Sequence, residues 1–295
     1  MTANTLQEGQ TTSATGVDEG NDSEFPFSDR DFERIRRIVS RETGIVITDA
    51  KRQMVYSRLA RRLRALELKN FGQYCRLLDD NPQDEIPTLV NAITTNLTSF
   101  FREPHHFAHL QKDVIPEILA QNASSRRIRI WSAGCSTGEE AYSIALALRE
   151  VTTIDAWDCR ILATDIDTDV LARAEKGIYP LERVAGIEPN RLRSWFTRGT
   201  RAYQGKVRVS PDLSEMISFK RLNLTEPWPV KGPFDVIFCR NVVIYFDKET
   251  QRRIFNQFAD CMSTNGYLYI GHSESLFNVS DRFKLIGQTI YQKKD

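Results

Sequence analysis

The chain of 295 residues has no Cys-x-x-Cys pair. Its five cysteines, Cys75, Cys135, Cys159, Cys239 and Cys261, are odd in number and far apart. This argues against a disulfide framework or a zinc site and for a reducing, cytoplasmic setting. Long apolar runs are equally lacking. No stretch approaches the roughly 18 apolar residues of a membrane-spanning helix. The opening residues are polar and acidic, unlike a secretory signal, so no membrane insertion is expected. Charge of one sign is absent as well: the formal net charge is +1, which by itself points to no polyanionic partner. The glycine fingerprints GxGxxG and GxxxxGK[ST] are missing, and no internal repeat is found. What remains is ordinary globular composition, 41% hydrophobic and 27% charged, at a length that suits one large or two small domains.

Residues 1 to about 26 carry five acidic and no basic residues and read as a disordered tail. From Ser28 to about Asn96 the pattern is helical. Ser28 can cap a helix whose face is Phe32, Ile35, Ile38 and Val39, and Gly44 can end it. Further helices are expected over about 49–67, 71–78 and 84–96, with Val55, Leu59, Leu63 and Leu66 forming the stripe of the second. No strand pattern interrupts them.

After Pro104 the character changes. A helix near 106–119 leads to RIRIWSAG (127–134), a strand running into a glycine turn. A helix (139–150), a strand (159–164) ending at Asp165, and a helix (168–175) follow. Strand, glycine turn, helix, strand, acid is the order of a doubly wound nucleotide-binding sheet. PFDVIFCR (233–240) reads as a buried strand, then come a helix (248–262), the strand GYLYIGH (266–272) and a closing hairpin arm (283–292). Tyr179 to Phe219 breaks the alternation, with a short helix (189–196) and the alternating run KVRV. It reads as a small antiparallel insertion.

Several segments carry chemistry. The turn AGCSTGEE (133–140) is rich in small residues, so backbone can approach a ligand closely. Its acids Glu139 and Glu140 disfavour a phosphate and suit a cationic ligand such as S-adenosylmethionine; equally, they can simply favour a helix N-terminus. Asp165, about 31 residues after Gly134, can accept hydrogen bonds from a ribose. Asp167 or Asp169 is then left to cap the next helix. NLTSFFRE (96–103) reads either as an active-site wall, with aromatics excluding water and Arg102 forking onto a carboxylate, or as a buried hinge. The exit of the strand ending at Arg240 lies where a second substrate should meet a cofactor. It lacks the Asn/Asp-Pro-Pro-aromatic motif of adenine amine methylation, which weighs against nucleobase methylation and favours no nucleic-acid partner. The second helix carries Lys51, Arg52, Arg58, Arg61, Arg62 and Arg64 with no acid between Lys51 and Arg64. That face suits an acidic protein surface; nucleic acid and mere solubility are the other readings. His105, His106, His109 and His272 show no metal-ligand spacing, so no metal is expected. Trp131 and Trp228 are read as core residues.

Taken together, NLTSFFRE, WSAGCSTGEEAYSIA, ATDIDTDVL, GPFDVIFCRNVVIYFD and GHSES resemble the chemotaxis receptor methyltransferases, the CheR family, from about Phe27 to the C-terminus. The resemblance implies an α/β fold: a doubly wound, Rossmann-like class I methyltransferase domain (105–295) with a small antiparallel β-subdomain at about 179–219. An all-helical N-terminal domain (27–97) and a linker (98–104) precede it. It implies S-adenosylmethionine as cofactor, S-adenosylhomocysteine as product, and methylation of glutamate side chains on cytoplasmic helices of chemoreceptors. Matched motif by motif, cofactor contacts fall on Asn96, Thr98, Arg102, Glu140, Asp165, Asn223, Leu224, Arg240 and Asn241. Arg102 and Tyr245 match residues that orient the reacting carboxylate. The basic helix, through Arg52, Arg58, Arg61 and Arg62, would dock the receptor. The insertion resembles a β-subdomain that grips a receptor C-terminal peptide by strand addition, at Arg198, Gly199, Gly205 and Arg208. Arg201 stands where such members often have another glycine. A monomer is expected.

Overall fold

The computed structural model describes residues 24–151 and 154–294. Most of the acidic tail therefore lies outside the described residues. Its last three positions do not follow the disordered reading: Glu24 pairs with Arg64, and Phe25 is buried, its N–H donating to the Tyr56 hydroxyl at 3.1 Å.

Four helices form the first domain: α1 (Asp29–Thr43), α2 (Arg52–Ala65), α3 (Phe71–Asp80) and α4 (Pro82–Ile93). Ser28 and Asp31 make a reciprocal capping box at the start of α1, and Gly44 ends it at φ 72°. A single turn of 3₁₀ helix at Asp49–Lys51 precedes α2. The faces carrying Phe32, Ile35, Val55, Leu59, Phe71 and Leu89 meet in one core. Helix α4 starts earlier than expected and stops at Ile93, so Thr94 to Ser99 leave it as extended chain.

The second domain begins with α5 (Pro104–His109) and α6 (Ile115–Gln121), joined by a π-helical turn at Leu110–Val114. Then follow β1 (Arg127–Ala133), α7 (Glu139–Arg149), β2 (Asp158–Asp165), α8 (Thr168–Lys176), β3 (Ile178–Pro180), α9 (Pro189–Trp195), β4 (Phe196–Arg198), β5 (Lys206–Val209), α10 (Pro211–Ser214), β6 (Ile217–Arg221), β7 (Phe234–Cys239), α11 (Lys248–Cys261), β8 (Met262–Ile270), β9 (Phe283–Gly287) and β10 (Ile290–Lys293). The main sheet has the order β6-β2-β1-β7-β8-β10-β9. Strands β6, β2, β1, β7 and β8 are parallel, and β10 and β9 are antiparallel. Apolar clusters cover both faces, which is why the C-terminal halves of β1 and β7 are buried residue after residue.

The insertion is the three-stranded antiparallel sheet β3-β5-β4. It ends earlier than expected, because Ile217–Arg221 is not part of it. That segment is β6, parallel to β2, with Ile217 opposite Ile161. The insertion separates β6 from helix α8, so the strand–helix–strand spacing that marks a parallel strand is stretched beyond recognition in the sequence. After β6 the chain crosses to the other side of β1 to form β7, and this reversal opens a crevice at the strand C-termini.

Candidate active site

The crevice is a cavity of about 380 Å³. One wall comes from the ends of β1, β2, β6 and β7. The other comes from the helical domain, through Ile45, Ile47, Met54 and Ile93, and from the extended chain after α4. Asn96, Thr98, Arg102, Glu140, Asp165, Asn223, Leu224, Arg240, Asn241 and Tyr245, singled out from separate stretches of sequence, all line it. At Gly134 (φ 88°) a Cβ would stand 2.3 Å from Val242 Cγ2, so only glycine lets the turn after β1 pass the loop after β7.

Asp165 ends β2 with its carboxylate accepting from the Ser136 N–H at 2.8 Å and the Asp167 N–H at 3.0 Å. Burial pushes its pKa up to about 6, against the pull of those two donors. Asp167 has a different task. It caps α8 through the N–H groups of Asp169 and Val170 and accepts from Thr94 Oγ1 and Asn96 Nδ2, both at 2.7 Å. Asp167 thereby latches the extended segment onto the sheet.

A buried charge cluster sits deeper. The Arg240 side chain is 2% exposed, with Nε 3.5 Å from Glu140 and 3.8 Å from Glu103. Its Nη2 donates to the Arg102 carbonyl, while Nε and Nη1 are buried with no hydrogen-bond acceptor among the described residues. Burial raises the Glu140 carboxyl, opposed by Arg240 and by Ser132, whose hydroxyl donates to it at 2.7 Å. For Glu103, burial is outweighed by the His272 hydrogen bond and the Arg240 charge, and the carboxyl lies below its usual range. His106 is driven down to about 3, first by burial and then by Arg240, and is neutral at physiological pH. Glu103, His105 and His106 bring three metal-type ligands together, but the guanidinium beside Glu103 opposes a cation there.

Two local readings are corrected. The acids of the glycine turn do not act as a pair: Glu139 is fully buried and turned away, bonded to Arg183 and to the Thr137 hydroxyl, so Glu140 alone faces the cavity. Nor do Phe100 and Phe101 wall the cavity. Phe100 packs on Tyr179 and Phe196 of the insertion, and Phe101 on Phe107 and Arg191. The segment thus combines both readings, a wall through its polar residues and a hinge through its aromatics.

Arg102 donates to the Leu97 carbonyl at 2.8 Å, and among the described residues no carboxylate lies within ion-pair distance of it. Tyr245 ends a 3₁₀ turn (Val243–Tyr245), with Lys51 Nζ 5.2 Å over its ring. Asn223 is engaged through its side chain: Nδ2 donates to the Glu42 carbonyl and Oδ1 accepts from Thr225. It anchors the helical domain and lines the cavity. Sequence reasoning missed Glu103, Lys51 and the Asp167 latch, because their partners lie far away in the chain.

Most arginines of the basic helix find partners within the chain. Arg52 pairs with Asp29 and donates to the Phe27 carbonyl. Arg58 donates to the Ile93 and Thr94 carbonyls at the C-terminus of α4, and Arg62 forks onto buried Glu85 at 2.9 and 2.6 Å. Of the four arginines assigned to docking, Arg61 alone is exposed without an ion-pair partner among the described residues. The acids missing from α2 are supplied by other elements, which a window on one helix cannot show. In the insertion, among the described residues, β4 pairs only with β5, which leaves its other edge open, and Arg198 and Arg208 are exposed. At Gly199 a Cβ would stand 2.2 Å from the Tyr203 carbonyl oxygen, and Gly205 has φ 79°. Arg201 takes the left-handed conformation, φ 54°, that a glycine would adopt freely.

Residues 30–94 match the family described as CheR methyltransferase, all-alpha domain, and residues 96–292 match CheR methyltransferase, SAM binding domain. The chain belongs to this family. It is 44% identical over 291 residues to the chemotaxis protein methyltransferase of Klebsiella aerogenes, covering 96% of this chain and 97% of that one. It is 45% identical to the chemotaxis protein methyltransferase of Salmonella typhimurium, covering 90% of each chain. To chemotaxis protein methyltransferase 2 of Pseudomonas aeruginosa it is 44% identical, covering 91% of this chain and 94% of that one. The protein is an S-adenosylmethionine-dependent chemotaxis methyltransferase.

The cavity fits that cofactor. The two acceptor-less donors of Arg240 suit its carboxylate, Glu140 its ammonium and Asp165 its ribose hydroxyls. The bound cofactor supplies an activated sulfonium methyl. Among the described residues no helix is long and apolar enough to cross a membrane.

Proposed function

We propose that the enzyme methylates glutamate carboxylates on chemoreceptor helices, giving methyl esters. The observation that carries this reading is the combination, among the described residues, of Arg102, a cavity-lining guanidinium with no carboxylate partner, and a cavity lining that contains no histidine or cysteine. An amine or hydroxyl acceptor would need a base to remove its proton. Glu140 and Asp165, the carboxylates available, are both engaged. A glutamate, with a reference pKa of about 4.3, arrives ionised and needs none. Arg102 and Tyr245 would then orient the incoming carboxylate, and apolar residues of the helical domain keep water away from it. Arg102 must hold the anion without over-stabilising it, because tight ground-state binding slows attack.

Two outer contacts complete the reading. Arg61 on α2 offers a cation to an acidic receptor surface. The open edge of β4, flanked by Arg198 and Arg208, suits strand addition by a receptor C-terminal peptide. Such a tether raises the local concentration of substrate glutamates to about millimolar without changing the chemistry. Mass spectrometry of receptor fragments incubated with enzyme and S-adenosylmethionine is the test. Methyl groups on glutamate that alkali removes are expected; methylation of lysine, or of no receptor residue, would reject the proposal.

A further inference from the structure

Glu274 follows β8 in the turn after Ile270 and is 6% exposed. Its carboxylate accepts five backbone N–H groups. Oε2 takes Asn241 at 2.9 Å and Gly271 at 2.6 Å, while Oε1 takes Val242 at 2.9 Å, Val243 at 3.0 Å and Ile244 at 3.4 Å. Four of these donors are consecutive residues of the loop leaving β7. Successive N–H groups turned inward make an anion-binding concavity, and here the anion is a side chain of the same chain.

The loop needs such a partner. Asn241 sits at φ 58°, a left-handed conformation uncommon outside glycine that asparagine tolerates better than other residues. At Gly271 a Cβ would stand 2.3 Å from Asn241 Nδ2, so the turn bearing Glu274 presses directly on the loop. From the other side Gln251 donates to the Val243 and Phe246 carbonyls. The loop carries Arg240 and Asn241 at one end and Tyr245 at the other, and all three line the cavity.

We propose that Glu274 is a positioning residue for methyl transfer: by gathering the N–H groups of residues 241–244 it sets the spacing between the cofactor-side pair Arg240–Asn241 and the substrate-side Tyr245. The proposal rests on the reading of Tyr245 given above. In-line displacement depends steeply on such spacing, since misplacement by about 1 Å can cost 100-fold in rate.

Glu274→Gln tests it, because it keeps the shape but turns an NH₂ donor against N–H donors. In the full chain, hydrogen exchange at the amides of 241–244 should quicken roughly tenfold or more while β1 and α1 keep their protection. S-adenosylmethionine affinity should fall. With saturating receptor fragment, kcat should drop roughly tenfold or more with KM changed about twofold at most. If Glu274→Gln does not fold, Glu274→Asp, charged but too short to span all five donors, takes its place in the same measurements. Unchanged exchange at 241–244, or a loss of rate that only follows the unfolded fraction, overturns the proposal. A wild-type chain that binds cofactor yet methylates no receptor glutamate overturns the receptor reading instead, and the exchange and affinity measurements still judge Glu274.

Discussion

Val46 donates its backbone N–H to the carbonyl of Tyr245 at 2.9 Å. That bond joins the helical domain, just past the end of α1, to the loop whose Tyr245 lines the cavity. Asn223 adds a second tie through the Glu42 carbonyl, also at 2.9 Å. Because the helical domain supplies one wall of the cofactor cavity, its docking and cofactor binding belong to one linked equilibrium.

Gly44→Ala should therefore weaken cofactor binding from outside the cavity. The φ of 72° strains any Cβ by about 1 kcal/mol, and that Cβ would stand 2.5 Å from Thr225 Cγ2. Both melting temperature and S-adenosylmethionine affinity should fall. Thr225→Ser removes only the colliding methyl and keeps the hydroxyl bonded to Asn223. Added to Gly44→Ala, it should restore the collision part of the loss and leave the backbone part. No recovery in calorimetry would contradict the packing argument.

Cofactor affinity should depend on pH through Asp165. Its carboxyl titrates at about 6 in the free chain, and ribose hydroxyls donate to the ionised form. Affinity is thus constant above about pH 6 and declines, at most ~tenfold per unit, as the pH falls below it. Calorimetry from about pH 5 to about pH 8 reads this directly. Glu140 is also raised by burial, so the series is repeated with Asp165→Asn. A decline of unchanged size in that variant would assign the effect to Glu140.

On α2, substitutions at different arginines should have different consequences. Arg62→Ala strands the buried Glu85 carboxylate and should destabilise the helical domain by about 3 kcal/mol, read as a lowered denaturation midpoint. Arg61→Glu should leave stability unchanged and raise the receptor KM. Wild-type activity should also weaken with salt, because attraction between exposed charges is screened over about 8 Å at 0.15 M. If Arg61→Glu leaves KM as it was and salt has no effect, α2 does not steer the receptor.

Reversing Arg198 and Arg208 together separates tether from catalysis. Both are exposed on the three-stranded sheet, away from the cavity lining. Binding of a receptor C-terminal peptide should be lost and methylation should slow at low receptor concentration. Cofactor affinity and the limiting rate should stay as they are. A titration of such peptides against the wild-type chain showing no affinity would remove the tether altogether.

What the sequence determined by itself is what short-range physics writes into it. The capping box at Ser28, the left-handed end of α1 at Gly44, the strand patterns of β1 and β7 and the glycine turn at 133–138 are each encoded within a few residues, and each stands where its pattern indicates. The order of those elements was enough to point to a doubly wound sheet, and the ten cavity residues were legible because their motifs resemble a known family. Tertiary structure decided the rest. It assigned Ile217–Arg221 to the main sheet, since a parallel strand is recognised by its neighbour β2 and not by its own residues. It turned Glu139 to Arg183 and Glu140 to Arg240, although the two are adjacent in the chain and alike in chemistry. It engaged the guanidinium groups of Arg58 and Arg62, because the carbonyls and the carboxylate that hold them lie on α4 and its C-terminal end. Hydrogen bonds and ion pairs act over a few ångströms in space, and only the folded chain brings residues dozens of positions apart within that reach.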